Sequence, residues 1–209
     1  MESVYYVLAI DIETSGSSLI QNGLVSIGCS LQDQHSNELR AFQVNLTLPE
    51  NHIYEERCLQ EFWLKNPRAH EFVQKDALSP DTAIKMFSEF LENAEKDYPE
   101  LIIVSDNPSF DIAWLNLYLS QYTDRLPLNY SQKGDYRPIW DLISMRKSLI
   151  SVKSGDFASN CGLTEKPTLK SRWKYDHTPL NDARVIADFF NQTVQALRLF
   201  SVNIHSVDQ

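Results

Sequence analysis

Two acidic side chains, Asp11 and Glu13, stand one residue apart at the end of an apolar run. Val4 to Ile10 has the makings of a strand, and on a strand side chains two apart point to the same face. Neighbouring carboxylates repel unless a cation lies between them. Hard divalent cations take oxygen ligands. The pair therefore reads either as part of a metal site or as an acidic strand end meeting solvent. Two further acids occupy positions where chemistry is often placed. Asp111 follows the turn cluster Asp106-Asn107-Pro108-Ser109-Phe110 and falls in the first turn of a helix, directly after a short apolar strand. Strand-to-helix junctions of α/β proteins gather active sites. Asp182 lies in the first turn of the last long helix, with His177 five residues earlier on the incoming loop. Histidine titrates near neutral pH and serves widely as a general base. Singly, Asp111 and Asp182 also suit helix N-termini, where acids complement the helix dipole. Their common placement at element junctions is what links them.

The elements that must position these groups can be read from periodicity. Val4–Ile12 is a nearly continuous apolar run, as expected of a strand buried on both faces. Val25, Ile27, Cys29 and Leu31 alternate with small or polar residues, as do Phe42, Val44, Leu46 and Leu48, so both stretches read as strands. The short polar segment Gln32 to Asn37 predicts a hairpin between them, and hence an antiparallel meander. Glu55 to Lys65 reads as a helix interrupted by Pro67. Ser79-Pro80 is a cap followed by proline at the first helical position, and Ile84, Phe87, Leu91, Ala94 and Tyr98 form one buried helix face. Leu101 to Ser105 reads as a strand and Ile112 to Leu119 as a helix. Trp140 to Ile150 also reads as a helix, and Ser151 to Asp176 mostly as loop. Thr178-Pro179 starts a long amphipathic helix, and Ser201 to Gln209 reads as a frayed tail. The expectation is a single domain over residues 1–200 with a tail at 201–209. Three early strands followed by alternating helix and strand imply a mixed α/β sheet with helices on its faces.

Composition narrows the class. The 209 residues are 43% hydrophobic and 22% charged, ordinary values for a globular domain with a proper core. No apolar run approaches the roughly 18–20 residues of a membrane span, and no secretory signal pattern is present at the N-terminus. No membrane partner is therefore expected. Cys29, Cys58 and Cys161 are odd in number and widely spaced, which points to reduced thiols in a cytoplasmic compartment. The net charge of −9 is unevenly distributed: residues 133 to 174 carry +5 and the remainder −14. A basic segment on an acidic body suits local phosphate contacts and disfavours long polyanions, although such an excess is also what solvated loops display.

Taken in order, the motifs resemble the histidine-bearing branch of the DEDD exonuclease superfamily. D-x-E-T-x-G stands as Asp11-Ile12-Glu13-Thr14-Ser15-Gly16, N-x-x-F-D as Asn107 to Asp111, and H-x-x-x-x-D as His177 to Asp182. The tyrosine-bearing branch would place tyrosine at position 178, which is threonine here. Within the superfamily the chain is most similar to phage- and prophage-type 3′–5′ exonucleases, a group related to mycobacterial-type exoribonucleases. Leu59 to Trp63 and the Pro80–Leu91 helix match loosely, and the resemblance spans roughly residues 4 to 198. It implies an RNase H-like fold with a five-stranded mixed sheet, its first three strands antiparallel, flanked by helices. It also implies that Asp11, Glu13, Asp111 and Asp182 hold two divalent ions, Mg²⁺ or Mn²⁺. Asp11 would bridge both, Glu13 and Asp182 would complete the first site, and Asp111 would support the second. His177 is then the general base, and the products are nucleoside 5′-monophosphates cut from single-stranded DNA or RNA 3′ ends.

Other residues carry looser expectations. The Thr14–Gly16 turn is placed to meet the terminal nucleotide, as family members use it. Phe110 is either a base-stacking ring or a core residue. Trp63 is either a wall of the substrate groove, since aromatic stacking accepts any base, or a core tryptophan on an amphipathic helix. Lys166, Lys170, Arg172 and Lys174 precede His177 and are candidates for backbone phosphates. Some dimeric relatives use basic residues of the partner subunit, which suggests a homodimer. Two rival readings share the fold: a catalytically silent nucleic-acid-binding module, which commonly lacks a motif residue that this chain retains, and a proofreading subunit of a polymerase. No residue distinguishes DNA from RNA, which depends on contacts to the 2′-OH.

Overall fold

The computed structural model describes residues 4–99, 101–154 and 169–207. Its centre is a five-stranded mixed sheet in the order β3-β2-β1-β4-β5, as the resemblance implied. The strands are β1 (Tyr6–Thr14), β2 (Leu24–Asp33), β3 (Glu38–Asn45), β4 (Leu101–Ser105) and β5 (Ile139–Asp141). The first three form the expected antiparallel meander, and β4 and β5 add parallel strands on the other side of β1. The β2–β3 turn lies at Asp33–Asn37, where Ser36 takes a positive φ of 63° and the Asp33 carboxylate accepts the His35 and Asn37 backbone N–H groups.

Six helices are described: α1 (Glu56–Glu61), α2 (Pro67–Gln74), α3 (Pro80–Asp97), α4 (Pro108–Tyr122), α5 (Leu142–Ser154) and α6 (Pro179–Val207). They cover the sheet in a pattern set by the alternation along β1. Leu8, Ile10 and Ile12 bury into a core with α3 and α4. Val7 and Ala9 bury into a second core with α6 and the start of α5. Asp11 and Glu13 continue the Val7–Ala9 face, so the same period of two delivers both carboxylates to the α6 side.

Several boundaries differ from the sequence expectation. Pro67 opens α2 as its first residue, whereas periodicity made it only a helix stop. Ahead of it, the expected Glu55–Lys65 helix divides into α1 and a 3₁₀ turn, Trp63–Lys65. Pro108 likewise opens α4, four residues before Ile112. In both cases proline's fixed φ and missing N–H suit the first helical turn. β3 starts earlier than Phe42 because the short hairpin turn leaves no room for unpaired residues. Trp140 is in β5, not in α5. Three residues are too few to display alternation, and Trp140 is half-exposed. The final helix runs through 201–207, where a frayed tail was expected. The expected Ser151–Asp176 loop falls mostly outside the described residues, apart from the end of α5 and residues 169–176. Among the described residues no helix is long and apolar enough to cross a membrane.

The N-terminus of α6 is placed by two contacts from the meander. Gly28 pairs with Asp11 across β1 and β2, and a Cβ there would lie 2.1 Å from the backbone of Pro179 and Leu180. The missing side chain is what lets the helix start descend onto the sheet beside Asp11. Gln43 of β3 then accepts the Leu180 N–H through Oε1 at 2.9 Å, which satisfies one of the unpaired donors of the first turn. Replacing Gly28 with alanine should displace this helix start, since close-packed backbone has nowhere to yield. The expected cost is about 1–3 kcal/mol of stability. It should be read as a lowered thermal midpoint, together with loss of whatever activity depends on Asp182.

Candidate active site

The structure brings Asp11, Glu13, Asp111, Asp182 and His177 together at the C-terminal ends of β1 and β4. Asp11 and Glu13 come from β1. Asp111 comes from the first turn of α4, where its carboxylate accepts the Ser105 hydroxyl of β4 in a short contact. Asp182 comes from the first turn of α6. Ligand atoms of Glu13, His177 and Asp182 lie within 4.8 Å of one another. Asp11, Asp111 and Asp182 are buried, at 6%, 4% and 1% exposure. Burial at this level is unusual for an acid without a partner.

Asp182 also shapes the loop that carries the histidine. Its Oδ1 accepts the Asp176 N–H at 2.9 Å and its Oδ2 accepts the His177 N–H at 3.1 Å. His177 adopts a left-handed backbone conformation, φ 60°, which few non-glycine residues take, although asparagine, aspartate and histidine do so more often than the rest. The two hydrogen bonds to one carboxylate hold it there. The imidazole meets the Phe62 ring edge-on at 4.8 Å between centroids and the Tyr175 ring at 5.8 Å.

The electrostatics are those of crowded, buried anions. Burial first, and then Asp111, Glu13, Asp182 and Asp106, push Asp11 well above the ordinary carboxylate range. Glu13 is raised in the same way, by burial and then by Asp182, Asp111 and Asp106. Burial pushes Asp111 to about 7 despite the Ser105 hydrogen bond, and Asp182 to about 7 despite its two backbone donors. Among the described residues none of these carboxylates forms an ion pair with lysine or arginine. An all-oxygen donor set, with one imidazole at its edge and no cationic side chain to neutralise it, fits hard divalent cations.

Residues that periodicity and spacing passed over complete the site. Asp106 immediately follows β4 and is a fifth acid in the cluster, raised mainly by burial. Its carboxylate accepts the Tyr175 hydroxyl at 3.4 Å. Its position at the end of a strand next to Asp111 was the available signal. Phe62, Ser105, Tyr175, Gly28 and Gln43 act through packing and long-range hydrogen bonds that no local pattern displays.

The looser expectations divide. Thr14, Gly16 and Phe110 share the wall of a cavity of about 370 Å³ with Phe62. Thr14 Oγ1 donates to the Gly16 carbonyl at 2.7 Å. A Cβ on Gly16 would strike Asn22 and Glu55 at 2.5–2.6 Å. Trp63 is not a groove wall: its ring is fully buried among Val25, Ala69 and Val73. Its Nε1 donates to the Thr14 carbonyl at 3.2 Å, so it braces the turn from behind. Lys170 and Arg172 are not brought to the carboxylates either. The Lys170 backbone bonds Gln192, ten residues or about 15 Å along α6 from Asp182. Arg172 reaches Ser36 in the β2–β3 turn, at the opposite end of the sheet. Lys174 is exposed beside Tyr175, and Lys166 lies outside the described residues.

A mixed sheet with this strand order, carrying clustered acids and a histidine at the strand ends, is an RNase H-like fold with a candidate nuclease site. The family model for the Rv2179c-like 3′–5′ exoribonuclease domain matches residues 7–194, and the chain belongs to that family of 3′–5′ exonucleases. A curated relative, the 3′–5′ DNA exonuclease Cap18 of Escherichia coli, is 23% identical over 183 residues, 88% of each chain. Among solved structures, Pop2p of S. pombe in its Mg²⁺- and Mn²⁺-bound form superposes with a TM-score of 0.59 at 18% identity, covering 90% of this chain and 82% of that one. The nuclease domain of 3′hExo, a DEDDh member bound to rAMP, gives 0.58 at 13% identity over 91% and 92%. E. coli Exonuclease I in complex with a dT13 oligonucleotide gives 0.66 at 14% identity, covering 95% of this chain but 43% of that larger one.

The raised carboxylates carry a signed consequence for the metal-free protein. Their folded-state pKa values exceed the unfolded ones, so between about pH 4 and 7 the native state holds more protons than the unfolded chain. Stability of the chelator-treated protein should therefore fall as pH rises through that window. Added Mg²⁺ or Mn²⁺ should raise the thermal midpoint, and by more at pH 8 than at pH 5. Thermal unfolding at both pH values, with and without chelator, checks it.

Proposed function

We propose that this exonuclease is metal-dependent, uses two divalent cations, Mg²⁺ or Mn²⁺, and trims single-stranded 3′ ends to nucleoside 5′-monophosphates. The observation that carries this reading is the convergence of three buried acids, Asp11, Asp111 and Asp182, and the partly buried Glu13, distant in sequence and without ion pairs among the described residues, beside His177. Asp11, from the middle of the cluster, would contact both cations; Glu13 and Asp182 would hold one and Asp111 the other. A bound pair would neutralise the phosphodiester and stabilise the attacking and leaving oxygens of an in-line displacement.

The chain's own groups supply the remainder. The cavity lined by Thr14, Gly16, Phe62 and Phe110 takes the 3′-terminal nucleoside, with Phe62 and Phe110 offering apolar surface to its base and sugar. His177 stands between that cavity and the acids, where its imidazole can accept a proton from the attacking water. Asp182 fixes the His177 backbone and so sets where that proton goes. Because Trp63 braces the Thr14 carbonyl, the turn that meets the terminal nucleotide is rigid before substrate arrives.

Incubating a 5′-labelled oligonucleotide with Mg²⁺ or Mn²⁺ should give a ladder that shortens from the 3′ end. Asp11→Ala should abolish it. His177→Gln should lower kcat by about 10²–10⁴-fold while leaving metal binding measurable by calorimetry. Tight strand binding with no shortening in either metal would instead favour a silent binding module. Matched DNA and RNA strands in the same assay read the sugar preference.

A further inference from the structure

The segment that leads to His177 forms no helix or strand over residues 169–177, yet it is held in register against one face of α6. Gln192, Asp188 and Arg184 stand four residues apart on that face. Gln192 accepts the Lys170 N–H through Oε1 at 3.0 Å and donates through Nε2 to the Lys170 carbonyl at 2.7 Å. Asp188 accepts the Ser171 hydroxyl at 2.7 Å. The Arg184 guanidinium lies over the Trp173 ring, 4.0 Å from its centroid. Arg184 is the last of the three before the histidine.

Arg184 differs from the other two because it is anchored to the sheet. Its Nε and Nη2 donate to the two carboxylate oxygens of Glu38, at 2.7 and 2.9 Å. Glu38 opens β3 and also accepts the Ser30 hydroxyl at 2.9 Å. Burial opposes ionisation of Glu38, but the hydrogen bonds from Arg184 and Ser30 hold its carboxyl below the usual range. A bidentate pair fixes the plane of a guanidinium as well as its position. The remaining nitrogen, Nη1, donates to Asn181 Oδ1 at 3.2 Å, and Asn181 Nδ2 donates to the Asp176 carboxylate at 3.4 Å. Trp173 and Asn181 lie four residues before and four residues after His177. One guanidinium therefore grips both ends of the stretch that carries the imidazole. The imidazole packs against the Phe62 and Tyr175 rings, so its place follows the lie of this stretch.

Resting on the assignment of His177 as general base, we propose that Arg184 is a positioning residue for the exonuclease reaction: it ties Trp173 and Asn181 to Glu38 of the sheet and so fixes where the imidazole stands. Among the described residues Arg184 pairs with Glu38 and with none of the clustered acids, and it does not line the nucleoside cavity. Its effect reaches the reaction through His177.

The test measures kcat and KM on a 5′-labelled single strand with Mg²⁺ for Arg184→Lys, Trp173→Leu and Trp173→Phe, each alone and in a His177→Gln background, at a temperature where all are folded. Lysine keeps the charge and loses the fork. Leucine keeps apolar bulk and loses the aromatic face. Arg184→Lys and Trp173→Leu should each lower kcat about 10–10²-fold, the scale of a misplacement of about 1 Å, with KM unaltered. Trp173→Phe keeps a ring face for the guanidinium and should retain most of the wild-type kcat. In the His177→Gln background the same substitutions should change kcat less than about twofold, since residues that act as one unit are not additive. The metal-free protein gives an independent reading. Its His177 ring resonance, assigned by its loss in His177→Gln, should shift in Arg184→Lys and Trp173→Leu as the imidazole moves relative to the Phe62 and Tyr175 rings. A lowered thermal midpoint with kcat unaltered, an unmoved resonance, or the full loss of kcat repeated in the His177→Gln background would overturn the proposal. Wild-type trimming that His177→Gln leaves unaltered overturns the general-base reading and this inference with it. That result needs no Arg184 variant, so the two failures are distinct.

Discussion

The constraint on which the structure turns is electrostatic repulsion held in place by packing. Five carboxylates, from Asp11, Glu13, Asp106, Asp111 and Asp182, occupy one largely buried corner with no basic side chain among the described residues paired to them. Left to themselves they would separate or protonate. They are kept together because each is mounted on an element anchored elsewhere. β1 is fixed between β2 and β4, α4 by its apolar face against Ile10 and Ile12, and α6 by Phe190, Ile186 and Ala187 beneath the sheet. Two hydrophobic cores thus supply the free energy that the site consumes, a common relation between scaffold and functional strain.

The mounting is also directional. β1 delivers two acids with one period, and the parallel strand β4 ends level with them, so α4 starts where Asp111 is needed. α6 runs back over the same face, and its first turn sits against the sheet because position 28 carries no side chain. The histidine depends on this arrangement at second hand: its loop hangs from the Asp182 carboxylate by two N–H groups. Removal of that carboxylate therefore takes away one of the clustered acids and the hold on the His177 backbone together.

The reach of sequence reasoning follows from the physics of each feature. Asp11 and Glu13 were legible because a period of two is local, and the junction acids because caps and prolines punctuate helices. The meander was legible through alternation and a short polar turn. Pro67 and Pro108 misled at the boundaries, since one residue type can both stop a helix and start one. β5 escaped because three residues carry no period. Trp63 could not be assigned from its own segment, for an aromatic on an amphipathic helix faces core or groove depending on what packs above it. Lys170 and Arg172 stood near His177 in sequence, yet an extended segment running along α6 carries them to the far end of the sheet. Asp106, Phe62 and Tyr175 belong to the site only through tertiary contact.

The distance in sequence between Asp11 and Asp182 has an outcome for how the molecule comes into being. Four of the five acids are present once the first four strands and α4 have assembled, but the cage lacks its last wall until α6 docks. Contacts so far apart along the chain are slow to form because loop closure must come first. Partly folded species are therefore inert, and hydrolytic competence arrives with the last tertiary contact. Cations that favour the closed cage over the open one would draw that final docking forward by mass action.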